Sequence, residues 1–176
     1  MDKIRGEQIV KMRYTWFIGG ALLGFLVGAF SPQIQASDEN GDVFCLAQNI
    51  YFESSNQPYA GKVAVAQVVM NRMELPSYPH TVCDVVYQAK MSTNWKGNEM
   101  PVRHMCQFSW YCDGKSDMPT DSATWMLSMQ IARDVITGRY EGILGGASHY
   151  HSTAVEPYWA SSLTEVVTID QHIFYK

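Results

Sequence analysis

Glu53 is the side chain whose position most suggests chemistry. Leu46 and Ile50 precede it at helical spacing, so its carboxylate extends an apolar helix face. The Ser-Ser-Asn-Gln-Pro segment at 54–58 is expected to end the helix within a turn, near the negative end of the helix dipole. Burial and the dipole both favour the protonated carboxyl that a general acid requires. The spacing alone, however, favours an ordinary exposed glutamate.

A second possible chemistry involves His149 and His151. Their spacing is that of two metal ligands on one strand face, and His172 could supply a third. This pattern makes a zinc-dependent hydrolase the main alternative to acid–base catalysis by Glu53. Their other possible roles are substrate contact, a hydrogen bond to Glu53, or a purely structural one.

The cysteines suggest disulfides rather than a metal site or a nucleophile. The chain has four, Cys45, Cys83, Cys106 and Cys112, and no C-x-x-C spacing or Gly-x-Ser-x-Gly motif. Three pairings are possible. If 106–112 were one extended strand, its two cysteines would lie roughly 20 Å apart and could not bond directly.

The N-terminal part predicts export. Residues 1–36 carry four basic and two acidic side chains, and 15–30 is an uncharged stretch rich in Gly and Ala. This is typical of a signal peptide, with cleavage after Ala36 favoured over a retained signal anchor that would associate with the membrane. Residues 37–42 are expected to be a linker. We therefore expect the domain in the periplasm or cell envelope.

Residues 43–176 suit one compact domain, which we expect to be monomeric. The part after residue 36 has nine basic and fifteen acidic side chains, without a basic cluster, which argues against a nucleic-acid partner. Helices are predicted at 43–54, 58–73, 81–88 and 122–138, the second buried all round. A long surface loop is predicted at 90–103 and strands at 107–111, 166–169 and 172–175.

Six ordered motifs resemble the SleB-type cell wall hydrolases, the family of spore cortex-lytic enzymes and related enzymes of Gram-negative bacteria and phages. They span about residues 46–175 and lie at 47–61 around Glu53, 65–72 (VAQVVMNR), 82–88 (VCDVVYQ), 106–114 (CQFSWYCDG), 149–151 (HYH) and 169–175. No one motif is specific, whereas their ordered combination is.

The resemblance implies an α+β, lysozyme-like or lytic-transglycosylase-like domain with a central buried helix and a small antiparallel sheet. It implies peptidoglycan glycan strands as substrate, Glu53 as the catalytic residue, and no cofactor or metal. This sequence has Ser55 and Gln57 where the family usually has a basic and an acidic residue. The missing acid removes a second carboxylate from this segment, which favours lytic transglycosylation over hydrolysis of the MurNAc–GlcNAc bond.

The substrate contacts expected from the motifs are polar and aromatic, as is usual in carbohydrate clefts. They are Gln107, Phe108, Ser109, His149, Tyr150, His151 and Trp159. Two alternatives stay open at this level: a zinc-dependent peptidoglycan amidase or peptidase that uses His149 and His151, and a non-catalytic glycan-binding module. The sequence distinguishes neither the product of cleavage nor a phage lysis enzyme from a bacterial remodelling enzyme.

Overall fold

The computed structural model of the protein describes residues 39–176. The predicted export segment at 1–36 and the first two linker residues lie outside this range. The helices are α1 Glu39–Ser54, α2 Tyr59–Met73, α3 Val82–Val86 and α4 Ser122–Ile136. None of the helices in this range is long and apolar enough to cross a membrane.

All four predicted helices are confirmed, and their ends follow local capping. α1 begins four residues earlier than predicted and takes in residues 39–42 of the expected linker. The Thr81 hydroxyl accepts the backbone N–H of Asp84 and caps α3. Asp121 caps α4 in the same way, through the N–H of Thr124.

α2 is the central buried helix that the sequence predicted. One side of it packs with α1, α3 and α4 through residues such as Val63 and Val69. Val65 and Val68, on another side, pack with Leu144 and Phe174 beneath the sheet. Residues 61–69 of α2 are all buried, and this middle part is apolar nearly all round because it has protein on every side.

The strands form two antiparallel sheets. β1 Ala89–Thr93 and β2 Glu99–Cys106 pair as a hairpin, while β3 His149–Ser152, β4 Glu165–Ile169 and β5 His172–Tyr175 form a sheet in the order β3-β5-β4. The second sheet agrees with the small antiparallel sheet that was expected. The combination of helices and small antiparallel sheets is the expected α+β class.

Two local predictions were wrong. Residues 90–103 form most of a hairpin rather than a loop, and their lack of periodicity follows from the exposure of both faces of the hairpin. Residues 107–111 are not a strand, because the chain turns into a 3₁₀ helix at Ser109–Cys112. Phe108 and Trp110 are buried and Ser109 is exposed, so the alternation of burial is present without an extended backbone.

The expectation of disulfides is confirmed. Cys45 on α1 pairs with Cys83 on α3, and Cys106 pairs with Cys112 across the turn that replaces the predicted strand. The second pair forms because the chain folds back between the two residues, which brings their Cα atoms to 6.2 Å.

Candidate active site

Glu53 lies in the last turn of α1, and the end of that helix is held by a buried lysine. The Lys62 ammonium donates hydrogen bonds to the backbone carbonyls of Ser54, Ser55 (2.7 Å) and Gln57 (2.8 Å). The negative dipole end expected beside Glu53 is therefore compensated by a positive charge. Sequence reasoning did not identify this role, although a single lysine inside an apolar helix was a usable signal.

The Glu53 carboxylate is half-buried, so it is not the freely exposed glutamate that spacing alone favoured. Its Oε2 accepts a hydrogen bond of 2.9 Å from the hydroxyl of Tyr150 on β3. Burial raises the pKa of Glu53, whereas the Tyr150 hydrogen bond and the positive charge of Arg72 act in the opposite direction. Burial dominates, so the pKa of Glu53 is raised, which suits a general acid.

Arg72 on α2 supplies the positive charge near Glu53 from a buried position. Its guanidinium carbon lies 5.2 Å from the ring centre of Tyr78 and 5.1 Å from that of Phe108. Its Nε donates to the carbonyl of Ser148 at 2.8 Å, which ties α2 to the residue before β3. These contacts fix Arg72 as part of the scaffold around Glu53.

A cleft of about 300 Å³ opens beside Glu53. Phe52, Ser109 and Trp110 line it together with Glu53, and the loop at 113–117 supplies the remaining residues: Asp113, Lys115, Ser116 and Asp117. The structure thus brings Glu53 and Ser109 together, as the motifs predicted. It also adds two carboxylates that the sequence gave no reason to place there.

The two added carboxylates differ in their surroundings. Asp113 accepts the backbone N–H of Lys115 at 2.8 Å and lies 3.4 Å from its ammonium, and these contacts lower its pKa. The pKa of Asp117 is raised by burial and by the charge of Asp113. The Gln48 side chain donates to the Asp117 carbonyl at 2.6 Å and so attaches the loop to α1.

Gln107 and Phe108 do not line this cleft. Gln107 is exposed and lies beside the hairpin base with Gln88 and Lys90. Phe108 is 2% exposed and packs against the Arg72 guanidinium. Phe108 therefore packs against Arg72 and is too buried to contact a sugar.

The pleat of β3 separates the other predicted contacts into two groups. Tyr150 shares a face with its β5 neighbour Phe174 and points to Glu53. His149 and His151 lie on the opposite face, where their rings are 5.4 and 5.5 Å from that of Trp159. Neither histidine nor Trp159 is among the residues that line the Glu53 cleft.

Both histidines of the pair use their ring nitrogens for other contacts. His149 contacts the Ser148 hydroxyl at 3.0 Å and the Tyr78 hydroxyl at 3.4 Å. His151 donates from Nδ1 to the Ser152 carbonyl, so its Nε2 accepts from the Tyr175 hydroxyl at 3.0 Å.

His172, the suggested third zinc ligand, lies on the Tyr150 face of the sheet, with its ring centre 5.1 Å from that of Tyr150. It therefore faces away from His149 and His151. Within residues 39–176 no group of three or more His, Cys, Asp or Glu side chains could hold a metal ion. The described part of the chain thus contains no arrangement that fits the zinc alternative.

Comparisons with known proteins identify the family of the chain. The model of the Cell Wall Hydrolase family matches residues 56–175, beginning three residues after Glu53. A spore cortex-lytic enzyme of Halalkalibacterium halodurans is 27% identical over 146 residues, which are 82% of this chain and 37% of that protein. One from Bacillus subtilis is 41% identical over 60 residues, 34% of this chain and 20% of the relative. The chain therefore spans about a third or less of the length of these relatives.

Two solved structures share the fold. The catalytic domain of the Bacillus cereus SleB protein superposes with a TM-score of 0.57 at 25% identity, over 78% of this chain and 91% of that one. The catalytic domain of the germination-specific lytic transglycosylase SleB from Bacillus anthracis gives 0.59 at 25% identity, over 81% and 98%. These matches confirm the expected lysozyme-like α+β class. Together with the family match over 56–175, they show that this chain belongs to the cell wall hydrolase family.

Proposed function

We propose that this domain cleaves the MurNAc–GlcNAc bond of peptidoglycan glycan strands as a lytic transglycosylase, with Glu53 as its acid and base. The observation that carries the proposal is a half-buried glutamate with a raised pKa at the edge of an open cleft. The Bacillus anthracis relative, described as a lytic transglycosylase, supports the same reaction class. Peptidoglycan is also the substrate expected of a cell wall hydrolase.

In the first step, protonated Glu53 donates its proton to the glycosidic oxygen that leaves C1 of MurNAc. The ionised carboxylate then removes the proton of the C6 hydroxyl of the same sugar as that oxygen bonds to C1. The products are a 1,6-anhydro ring and a free GlcNAc 4-hydroxyl, and Glu53 ends protonated again. Tyr150 and Arg72 stabilise the intervening carboxylate, while burial favours the protonated starting form.

Hydrolysis is the second candidate because Asp117 lines the same cleft. A second carboxylate can activate a water molecule against C1, which is how inverting glycosidases work. Asp113 is less suited to this task, since its contacts with Lys115 lower its pKa and make it a weaker base. In this hydrolytic mechanism Glu53 keeps its role as acid and Asp117 becomes the base.

The products distinguish the two candidates. Purified protein is incubated with peptidoglycan, and the released fragments are analysed by mass spectrometry. We expect 1,6-anhydro ends, their loss in Glu53→Gln, and their retention in Asp117→Asn. Reducing ends that disappear in Asp117→Asn would make the enzyme a hydrolase. Activity that survives Glu53→Gln would remove the site assignment. Glu141→Gln, an exposed glutamate outside the cleft, is the matched control.

The remaining site and partner assignments are part of the same proposal. Ser109 is the predicted polar contact best placed for substrate, because it is exposed in the Glu53 cleft. Gln107, His149, His151 and Trp159 would contact only a strand that extends beyond that cleft. Activity is expected to withstand chelation, whereas loss on chelation would favour the zinc amidase. Release of soluble fragments excludes a purely glycan-binding module.

We also propose that the protein acts outside the cytoplasm as a monomer, after its N-terminal segment has been cleaved. The family acts on cell walls, which supports extracytoplasmic action. The disulfides Cys45–Cys83 and Cys106–Cys112 suit an oxidising compartment. N-terminal sequencing of the protein recovered from the cell envelope tests cleavage after Ala36, and a retained segment would favour the signal anchor.

A further inference from the structure

The hairpin of β1 and β2, residues 89–106, is here called the arm. Its strands pair only with each other in the described part of the chain, and most of its side chains are exposed on both faces. Met91 is 42% exposed, Met100 50% and Met105 50%. A two-stranded hairpin is only marginally stable in water on its own, and the side chains exposed on both of its faces are available for contact.

The tip of the arm presents an aromatic ring and a cation in a defined turn. The Asn94 side-chain oxygen accepts the backbone N–H groups of Lys96 at 2.9 Å and Asn98 at 3.0 Å. Trp95 is 89% exposed, and the Lys96 ammonium lies 4.8 Å from the centre of a Trp95 ring. A flat apolar face beside a positive charge fits a sugar ring that carries or adjoins a carboxylate.

The charge of the arm is opposite to that of the rest of the domain. The arm has Lys90, Lys96 and Arg103 against Glu99, whereas the other described residues include thirteen acidic and six basic side chains. A negatively charged polymer is repelled by most of this surface and attracted by the arm. Peptidoglycan is such a polymer, because its stem peptides carry free carboxylates.

The arm is continuous with the candidate active site. The N–H of Gln107 donates to the Gln88 carbonyl at 2.9 Å and closes the base of the arm. β2 ends at Cys106, whose disulfide to Cys112 brackets the 3₁₀ helix that carries Ser109 and Trp110 into the cleft wall. A glycan strand bound in the cleft can therefore continue along the arm.

We propose that the arm is an additional peptidoglycan-binding surface, in which Trp95 stacks on a sugar ring and Lys90, Lys96 and Arg103 pair with stem-peptide carboxylates. The inference rests on the proposed function for the identity of the polymer. A membrane fits the arm less well. Met91 lies opposite Pro101 and Met100 opposite Ser92, so the two methionines point to opposite faces and form no common apolar surface.

Binding to insoluble sacculi tests the proposal without requiring cleavage. Full-length protein carrying Glu53→Gln is sedimented with purified sacculi, and the bound fraction is measured against protein concentration. We expect Trp95→Ala, and separately Lys96→Glu with Arg103→Glu, to weaken binding at least fivefold. The charge-reversed variant should also lose most of the salt dependence of binding.

The matched controls are Tyr158→Ala, a 94% exposed aromatic, and Arg133→Glu, an exposed arginine on α4. Circular dichroism confirms that each variant is folded. Loss of binding confined to the arm variants supports the proposal, and equal binding by arm and control variants overturns it. Arm-dependent binding to anionic phospholipid vesicles with unchanged binding to sacculi also overturns it, in favour of a membrane.

Failure of the proposed function would appear in the release of glycan fragments and not in the binding to sacculi. If wild-type protein released no glycan fragments and the arm variants still lost sacculus binding, the arm would remain a binding surface and the catalytic assignment would fall.

Discussion

Replacing Tyr150 by Phe removes one hydroxyl and leaves the ring in place. That hydroxyl donates a 2.9 Å hydrogen bond to Glu53 Oε2 and lowers the pKa of Glu53 against the effect of burial. Without it, the ionised carboxylate loses a partner while the protonated carboxyl loses little. We therefore expect the pKa of Glu53 to rise further in Tyr150→Phe.

The size of the effect follows from the environment of the hydrogen bond. A hydrogen bond to a charged group contributes about 1.5–3 kcal/mol where it is well shielded from water. Glu53 is half-buried beside an open cleft, so we expect about 1–1.5 kcal/mol. This corresponds to a roughly five- to thirteenfold higher ratio of protonated to ionised Glu53 at a given pH.

The assay is kcat/KM for glycan cleavage as a function of pH. Because the first step requires protonated Glu53, the alkaline limb of the profile should move to higher pH in Tyr150→Phe. The rate at low pH should fall, since the carboxylate that forms when Glu53 donates its proton is no longer stabilised by the Tyr150 hydroxyl. Tyr175→Phe is the control, because that hydroxyl donates to His151 on the other face of the sheet. An alkaline limb that stays in place or moves to lower pH would refute the reasoning.

Three further outcomes are expected. Lys62→Met should lower the free energy of unfolding by about 2–4 kcal/mol in urea titrations, because three carbonyls at the end of α1 lose a charged donor. Glu53→Gln should be more stable than wild type at pH 7 in thermal melts. Because the pKa of Glu53 is raised in the folded state, the wild-type protein loses stability as the pH rises from the unfolded-state pKa through the folded-state pKa. The difference in stability between the two proteins should therefore disappear at lower pH. Double replacement of Cys106 and Cys112 by Ser should cost about 2 kcal/mol by the loop-entropy relation; equal stability would indicate that the turn is held by packing alone.

The helices could be predicted because their burial is one-sided or complete. α2 was recognisable from an apolar run without breaks, and α3 from a threonine cap. α4 was located correctly, but its apolar residues are only partly buried. Ile131, Ala132 and Val135 are buried, whereas Met126 is 68% exposed. Periodicity locates a helix more reliably than it identifies which positions a neighbouring element covers.

The arm could not be predicted because the usual strand signal depends on burial. Alternation of apolar and polar residues appears when one face of a strand packs on a core, and neither face of β1 packs in this way. The turn at Ser109–Cys112 was wrongly predicted to be part of a strand because its burial does alternate. There Phe108 and Trp110 alternate with Ser109 as in a strand, although the backbone is a 3₁₀ helix closed by a disulfide.

The site was predictable in its central residue and not in the residues that set its electrostatics. Its place on an apolar helix stripe drew attention to Glu53, and the resemblance to the cell wall hydrolases, rather than the stripe, implied a catalytic role. Tyr150 had been expected to contact substrate, but it donates a hydrogen bond to Glu53 across 97 residues of sequence. Strand alternation could have separated Tyr150 from His149 and His151. The local sequence does not show, however, which residues contact each face of the strand. Asp117 lies in a loop without periodicity, so no local pattern indicated that it lies beside Glu53.

The protonation states of the carboxylates in the cleft, rather than their number, decide between the two mechanisms. Gln57, which replaces an acidic residue of the family, is 6% exposed, and its side-chain oxygen accepts the N–H of Gln171 at 3.4 Å, so it is a structural residue. The loop at 113–117 brings acids back into the cleft, but hydrolysis needs one carboxyl kept protonated and another kept ionised. Burial raises the pKa of both Glu53 and Asp117, which does not separate them. Asp113 is ionised, but its contacts with Lys115 lower its pKa and make it a weak base. Glu53 has Tyr150 and Arg72 to stabilise its ionised form, so it can hold and release a proton without a second carboxylate, and ring closure is the better-supported outcome.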